Sequence, residues 1–394
     1  MELRLPAPRA VSDAAALVVL ERAVAAHPAA PAPRLKLAGL LFDRDDFSAA
    51  IALLEGRDWG TAAEPQLLLS QALVARNEPG DGERAVTAAE RAAAQADDPL
   101  QRDAANLAAG RALLRCGRRA QGEGKLRAIL DREPAQAGAF RSLTDRLLQR
   151  GDAAAVLALV EAAQCRGIHH SRLLGAQAAA RARTGAVEAA RELCGLDRFV
   201  STTMLDLSSG CADLTRFNAL LKTEVEGDPD LRHGRYGTAS RNTNRVDHPL
   251  RTDTPALAAL HKAIAAAAMR HVLALAGDHP WVAARPEHLV MRSWCVMTDA
   301  DGYEEWHNHP AGWMSGGYYV EVPERTSDEP KAGCLAFGMP PALAGAENAA
   351  AFGEQLIVPQ PGMLALFPSH AYHRTYPHGQ PGRRICVAFD LVPA

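Results

Sequence analysis

The sequence predicts an α+β chain of two modules: an α-helical solenoid over residues 1–198 and a β-sandwich or barrel over residues 199–394. Three observations predict it. Glycines recur at 34-residue steps, Gly117, Gly151 and Gly185, each between two amphipathic runs. Near residue 198 the composition changes abruptly from helix-forming to turn-rich. From residue 289 onward, short apolar runs alternate with Pro and Gly. A length of 394 residues also suits two cores, because single cores stop growing at roughly 250–300 residues.

The first module is dense in Ala, Leu, Arg, Glu and Gln, side chains that lose little rotamer freedom in a helix. Apolar positions keep the glycine step: Ala109 to Leu143, Leu113 to Leu147, and Leu126 to Val160. A helix, a turn needing positive φ, and a second helix packed back on the first account for that spacing. The pattern resembles the tetratricopeptide repeat, best in residues 103–136, where Gly110, Leu113, Leu126 and Pro134 stand at that family's offsets. Upstream copies are degenerate, the second interrupted near Pro79 and Gly80, and about five helix pairs are expected.

The stretch 203–250 reads as loops and short strands. Residues 254–277 read as a helix with Thr254 as N-cap and Pro255 at its first position. Strands are expected in LVMRSWCVM, SGGYYVEV, CLAFGM, EQLIVP, GMLALFP and RRICVAFDLV. With 48% hydrophobic residues, 23% charged and a net charge of −3, the chain gives no sign of disorder or of attraction to nucleic acid. Seven scattered cysteines without a C-x-x-C pair argue for reduced thiols. No apolar leader and no apolar run of ~18–20 residues stand out, so a cytoplasmic protein without membrane contact is expected.

The chemistry gathers in WHNHPAGWMSGGYYVEVP, residues 306–323. In a strand, His307 and His309 point to one face and can converge on one ion. A third imidazole is available from His370, His373 or His378, just past an apolar strand. Two histidines, a further ligand and open positions are the usual Fe(II) arrangement for oxygen activation. Trp306 and Trp313 flank the pair and read as core aromatics or as pocket walls. Asn308 reads as pointing away from the metal, His370 and His378 as surface residues, and His169 and His170 as part of a repeat helix.

Taken in order, HNHPAGWMSGGYYVEVP, CLAFGMP, PGMLALFPSHAYHRTYP and RRICVAFD resemble the 2-oxoglutarate- and Fe(II)-dependent oxygenases, over residues 289–392 and more loosely from 200. The nearest likeness is to a bacterial and phage group with H-x-H-P, S-G-x-Y-Y and R-I-S motifs. The resemblance implies a double-stranded β-helix (jelly roll) with Fe(II), 2-oxoglutarate and O2 at its open end. It places His307 as first ligand and His373 as the distal one. Arg384, eleven positions beyond His373, falls where a guanidinium seats the far carboxylate of 2-oxoglutarate, and Tyr319 falls where a hydroxyl bonds the same group.

The usual H-x-D/E carboxylate position is His309, and the R-I-S serine is Cys386. Three schemes stand: His307, His309 and His373 together; two histidines without a carboxylate; or a set shifted so that His309 leads. The first is favoured because both imidazoles share a face. The implied reaction is hydroxylation, on a peptide or protein recruited by the helical repeats. Two other readings stay open. One is a cupin-type metal enzyme independent of 2-oxoglutarate, although Trp313 and Met314 stand where its glutamate is usual. The other is a repeat scaffold with a degenerate barrel.

Overall fold

The computed structural model describes residues 1–205, 213–325 and 329–394. By compactness it forms two units, Val11–Thr144 and a second of Met1–Ala10 with Asp145–Ala394. That division differs from the compositional boundary at 198, because the last repeat helices pack within the same unit as the sheets. Secondary structure, by contrast, does change at about residue 200.

β1 (Glu2–Arg4) pairs in parallel with residues 288–290. The helices that follow are α1 (Asp13–Ala26), α2 (Pro31–Asp43), α3 (Phe47–Leu54), α4 (Ala63–Arg76), α5 (Asp81–Gln95), α6 (Pro99–Arg115), α7 (Arg119–Arg132) and α8 (Ala137–Gln149). After them come α9 (Ala153–Gln164), α10 (Ser171–Arg183), α11 (Val187–Cys194) and α12 (Leu196–Phe199). From α2 to α11 they fall into five consecutive helix–turn–helix pairs.

Gly117, Gly151 and Gly185 sit at the three later intrapair turns with φ of 75°, 85° and 84°. Each turn closes identically: the N–H of the following residue donates to the carbonyl five positions back, Arg118 to Leu113, Asp152 to Leu147, and Ala186 to Arg181. In the first pair Asp45, with φ of 65°, takes the glycine's place. In the second the turn lengthens around Asn77 and Gly80, where the repeat pattern breaks. The positions that keep the 34-residue step, Ala109, Leu113, Leu126, Leu143, Leu147 and Val160, are all buried.

The rest of the chain forms β2 (Ser201–Met204), α13 (Leu214–Glu226), β3 (Arg232–His233), β4 (Ser240–Val246), α14 (Pro255–Ala274), α15 (Pro280–Ala283), β5 (His288–Glu304), β6 (Met314–Glu321) and β7 (Leu335–Phe337). It ends with α16 (Pro341–Ala344), α17 (Ala346–Phe352), β8 (Gln355–Ile357), β9 (Met363–Pro368), β10 (His373–Thr375) and β11 (Arg384–Pro393). All six expected strands form. A helix at 214–226, inside the stretch read as loops and strands, was not expected. Its apolar positions, Phe217, Leu221 and Val225, do keep helical spacing and are buried.

The larger sheet has eight strands: seven in the order β2, β9, β6, β11, β5, β4, β3, each pair antiparallel, and β1, which joins β5 in parallel. The smaller has three, β10, β7 and β8. Leu335 and Phe337 of the small sheet pack on Ala365 and Phe367 of the large one, so the two sheets enclose a shared apolar layer.

α14 is, among the described residues, long and apolar enough by length and composition to cross a membrane. It is built as a core helix. His261 on its buried face donates through Nδ1 to the Leu257 carbonyl and accepts at Nε2 from Ser293 of β5, both at 2.6 Å. Thr254 is its N-cap residue, but its hydroxyl bonds Arg251. The Glu224 carboxylate of α13 takes the first-turn N–H groups of Ala256 and Leu257 instead, each at 2.8 Å. The described cysteines are free thiols, while Cys211 lies outside the described residues.

Candidate metal centre

His307 and His373 meet across the two sheets in an isolated antiparallel bridge, exchanging both N–H···O bonds at 2.9 Å. The backbone N–H of His309 is tied to the Ser369 carbonyl, also at 2.9 Å. The next residues, 310–313, are held from two sides. Ser171, the first residue of α10, donates to the Gly312 carbonyl at 2.7 Å. Trp313 stacks on Trp281 with ring centroids 4.7 Å apart, and each indole N–H donates to the other's carbonyl. Such a pair is worth about 0.5–1.5 kcal/mol beyond its burial. Trp313 is therefore core, and Trp306 lies outside the pocket under the Arg374 guanidinium.

The three rings converge. One nitrogen from each of His307, His309 and His373 lies within 4.8 Å of the others. Every Nδ1 is already committed: His307 to the Glu305 carbonyl at 2.7 Å, His373 to the Ala371 carbonyl at 3.0 Å, and His309 to the Asp390 carboxylate at 3.0 Å. Carbonyl and carboxylate partners only accept, so each Nδ1 carries a hydrogen and the lone pair of each neutral ring is on Nε2. The Nε2 atoms of His309 and His373 face each other at 3.2 Å. A shared proton or a metal cation can bridge that separation, and three Nε2 donors converging on one point suit a metal.

Burial, and then the neighbouring His309, push the His307 imidazole down to about 3, and burial takes His373 well below its ordinary value. Both are therefore neutral near pH 7, the form that ligates. Asp390 belongs to the support of this set. Its Oδ1, the oxygen 3.0 Å from His309 Nδ1, also accepts from Ser315 at 2.6 Å, the other oxygen lies 3.2 Å from His309 Nδ1, and Ser315 contacts Ser369 at 2.7 Å. The carboxylate that H-x-H lacks at the ligand position thus stands one shell back, behind His309.

The pocket in front of the rings is lined by Trp294, Val296, Glu304, Tyr319, Phe367, Thr375, Arg384 and Cys386, among others. Strand alternation places Arg384, Cys386, Ala388 and Asp390 on one face of β11. Arg384 is 4% exposed and hydrogen-bonds only neutral oxygens, Thr375 Oγ1 at 3.1 Å and the Gly333 carbonyl at 3.3 Å. Among the described residues no carboxylate pairs with it. A buried guanidinium so placed gains strongly from an anionic ligand.

Tyr319, opposite Cys386 in the ladder, has its phenol held above its ordinary value by burial. The Cys386 thiol is pushed up to about 12 by burial and stays protonated. Glu304 is raised by desolvation, accepts from Ser240 at 2.7 Å, and was not singled out from the sequence. Neither was Trp294, which stacks on His309 at 5.5 Å, nor Asp390. For Asp390 a signal existed, since it shares strand parity with Arg384.

His370 and His378, expected at the surface, are buried. His370 Nε2 bonds the Leu193 carbonyl of α11 at 2.8 Å, and His378 Nε2 bonds the Thr298 carbonyl at 3.2 Å. Neither joins the centre. Asn308 lies against α10 at Gly175, and His170 caps α10 by accepting from the Arg172 N–H.

Residues 292–390 match the family described as "Putative 2OG-Fe(II) oxygenase". A comparison with curated proteins returned no match. Among solved structures, a prolyl-4-hydroxylase of Pseudomonas putida aligns at 16% identity and a TM-score of 0.32, over 50% of this chain and 95% of its own. HygX of Streptomyces hygroscopicus, solved with nickel and 2-oxoglutarate, aligns at 14% identity and a TM-score of 0.31, over 52% and 87%. The tetratricopeptide protein YrrB aligns at 14% identity and a TM-score of 0.32, over 45% and 91%. The match to a family of 2-oxoglutarate- and Fe(II)-dependent oxygenases thus covers the segment that holds His307, His309, His373 and Arg384, and that segment follows five helix–turn–helix pairs.

Proposed function

We propose that the chain is an Fe(II)- and 2-oxoglutarate-dependent oxygenase that hydroxylates a peptide or protein substrate recruited by its helical repeats. In this reading the two sheets are the halves of a double-stranded β-helix, residues 1–198 and 199–394 are the functional modules, and the setting is the reducing cytoplasm. The observation that carries it is the convergence of three Nδ1-anchored imidazoles beside a buried guanidinium that has no carboxylate ion pair among the described residues.

His307, His309 and His373 hold the iron through Nε2. Arg384 grips the far carboxylate of 2-oxoglutarate, and the Tyr319 hydroxyl donates to the same group. Val296, Leu335 and Phe367 supply apolar walls that exclude water, and Trp294 fixes the plane of His309. When bound, iron with 2-oxoglutarate and O2 supplies the oxidising power to convert a C–H bond to C–OH, the co-substrate leaving as succinate and CO2. Asp390 orients His309 and offsets the charge that a three-imidazole set leaves on the metal.

Anaerobic titration with Fe(II) and 2-oxoglutarate, followed by visible absorption, tests the reading. A charge-transfer band that needs both additives is expected in the wild type and is expected to vanish in His307→Ala and His373→Ala. Tight metal binding indifferent to 2-oxoglutarate would establish the cupin-type alternative, and no metal binding would leave a scaffold.

A further inference from the structure

A second concavity of about 450 Å³ lies behind the metal centre, and Trp294 belongs to both. Arg9, Arg235, Arg245 and Arg292 line it, against the carboxylates of Asp247 and Asp390. Arg9 is itself paired with Asp230 at 2.9 Å, so the positive surplus rests on the cluster at Asp247 and on Arg292. Three guanidiniums converge on Asp247: Arg232 at 2.8 Å, Arg235 at 2.6 Å and Arg245 at 2.5 Å. Asp390 is already bonded to His309 and Ser315. Arg292, directly opposite Asp390 in the ladder, is exposed and forms no ion pair among the described residues. On a chain of net charge −3 this is a local cationic surplus, able to concentrate and orient an anion.

The cleft is also wired to the chemistry. Arg245 lies 5.1 Å from the Trp294 ring centroid, and the same indole stacks on His309. Asp390 forms part of the cleft wall and accepts from His309 Nδ1. An occupant therefore touches two of the groups that hold a metal-binding ring. The volume falls within the ordinary range of ligand sites, roughly 300–1,000 Å³, and takes a few peptide side chains.

We propose that this arginine cleft binds an anionic side chain, a carboxylate or a phosphate, on the polypeptide that is presented to the metal centre. Planar guanidiniums make bidentate, charge-assisted bonds to either group, and a fixed anionic anchor sets which neighbouring residue reaches the iron. This inference rests on the oxygenase reading above and names its substrate class: peptides with an acidic or phosphorylated residue near the oxidised position.

Fluorescence anisotropy on the full-length protein tests it, using three rhodamine-labelled peptides of equal length that differ at one central residue: Asp, phosphoserine or Asn. At least one anionic peptide is expected to bind about tenfold tighter than the Asn peptide, a preference that fades as salt is raised. The tighter of the two identifies the anion. Arg292→Glu is expected to weaken anionic binding about tenfold, and Arg235→Gln, which keeps hydrogen-bonding capacity beside Asp247, by less. Equal affinity for all three peptides, or anionic binding unaltered in both variants, overturns the proposal. The iron and 2-oxoglutarate absorption band, recorded on the same preparations, keeps the two readings apart. Absence of the band removes the oxygenase, whereas a normal band with undiscriminated peptides removes only the cleft.

Discussion

The repeat helices before and after residue 144 share one sequence pattern and serve different ends. In Val11–Thr144 the interior is apolar: Ala38, Ile51, Leu54, Leu69, Leu73, Val86 and Leu113 form one buried cluster. Only four buried polar or charged side chains lie there, Arg34, Ser70, Asp81 and Thr144. Past residue 145 the helices turn polar atoms toward the sheets. Ser171 of α10 holds the Gly312 carbonyl, the Leu193 carbonyl at the end of α11 holds His370, and Gly175 leaves room for Asn308. A repeat that only needs to stack can be filled with Ala and Leu, whereas one that positions a ligand loop needs hydrogen bonds of defined direction.

The largest effect separating the two regions is expected from Leu113→Ala. Leu113 is 2% exposed inside the apolar cluster, and a deletion of that kind costs about 2–5 kcal/mol. Denaturant unfolding should show the loss, while the iron and 2-oxoglutarate band at low denaturant keeps its intensity. A band that disappears with this substitution would mean that the site draws its stability from the first unit.

Acid should act the other way, on the second unit. Val11–Thr144 contains one histidine, His27, and the remaining thirteen lie in the second unit. Burial pushes His370 and His170 down to about 4 from an ordinary value near 6.5. The unfolded chain therefore binds more protons than the folded one between pH 6.5 and 4, and stability falls as pH is lowered through that window. For fully buried His370 the loss approaches about 3 kcal/mol by pH 4. Proton uptake on unfolding at pH 5, measured beside denaturant curves at pH 7 and 5, checks this. A stability flat from pH 7 to 5 would contradict it.

Much of this contrast was legible in the sequence, and what was missed has a common cause. Turn glycines and strands are local: a 34-residue step demands positive φ at Gly117, Gly151 and Gly185, and period-two runs form strands wherever they are placed. The convergence of His307, His309 and His373 was readable because ordered motifs announce it. The burial of His370 and His378 was not, since their partners, the Leu193 and Thr298 carbonyls, lie 177 and 80 residues away in sequence. Trp294 and Glu304 entered the pocket through strand pairing, which no single strand encodes. The helix at 214–226 was hidden by polar neighbours despite its spacing.

A smaller effect tests the support of His309. Asp390→Asn keeps the shape and the acceptor oxygen but removes the charge behind the ring. Fe(II) affinity is expected to fall about 10–100-fold with little change in unfolding midpoint. Calorimetric titration with Fe(II) under anaerobic conditions reads the affinity directly. An affinity equal to wild type would show that the three imidazoles hold their orientation without the carboxylate.

The smallest effects come from a pair of glycines and should differ in sign. Gly124 lies exposed within α7, and a Cβ built there meets nothing within 4 Å, so Gly124→Ala should gain about 0.5–1 kcal/mol of helix stability. Gly175 within α10 has the same propensity to gain, but its Cβ would lie 2.7 Å from Asn308 Nδ2 and 3.2 Å from the His370 carbonyl. Asn308 can swing aside, yet it sits between His307 and His309, so the displacement reaches the ligand loop. The carbonyl is backbone and cannot yield as easily. Gly175→Ala is therefore expected to lose about 1 kcal/mol overall and to weaken Fe(II) binding a few-fold. Paired denaturant curves and metal titrations on the two variants decide the matter: if both glycines gain stability and iron affinity stays level, α10 packs beside the centre without shaping it.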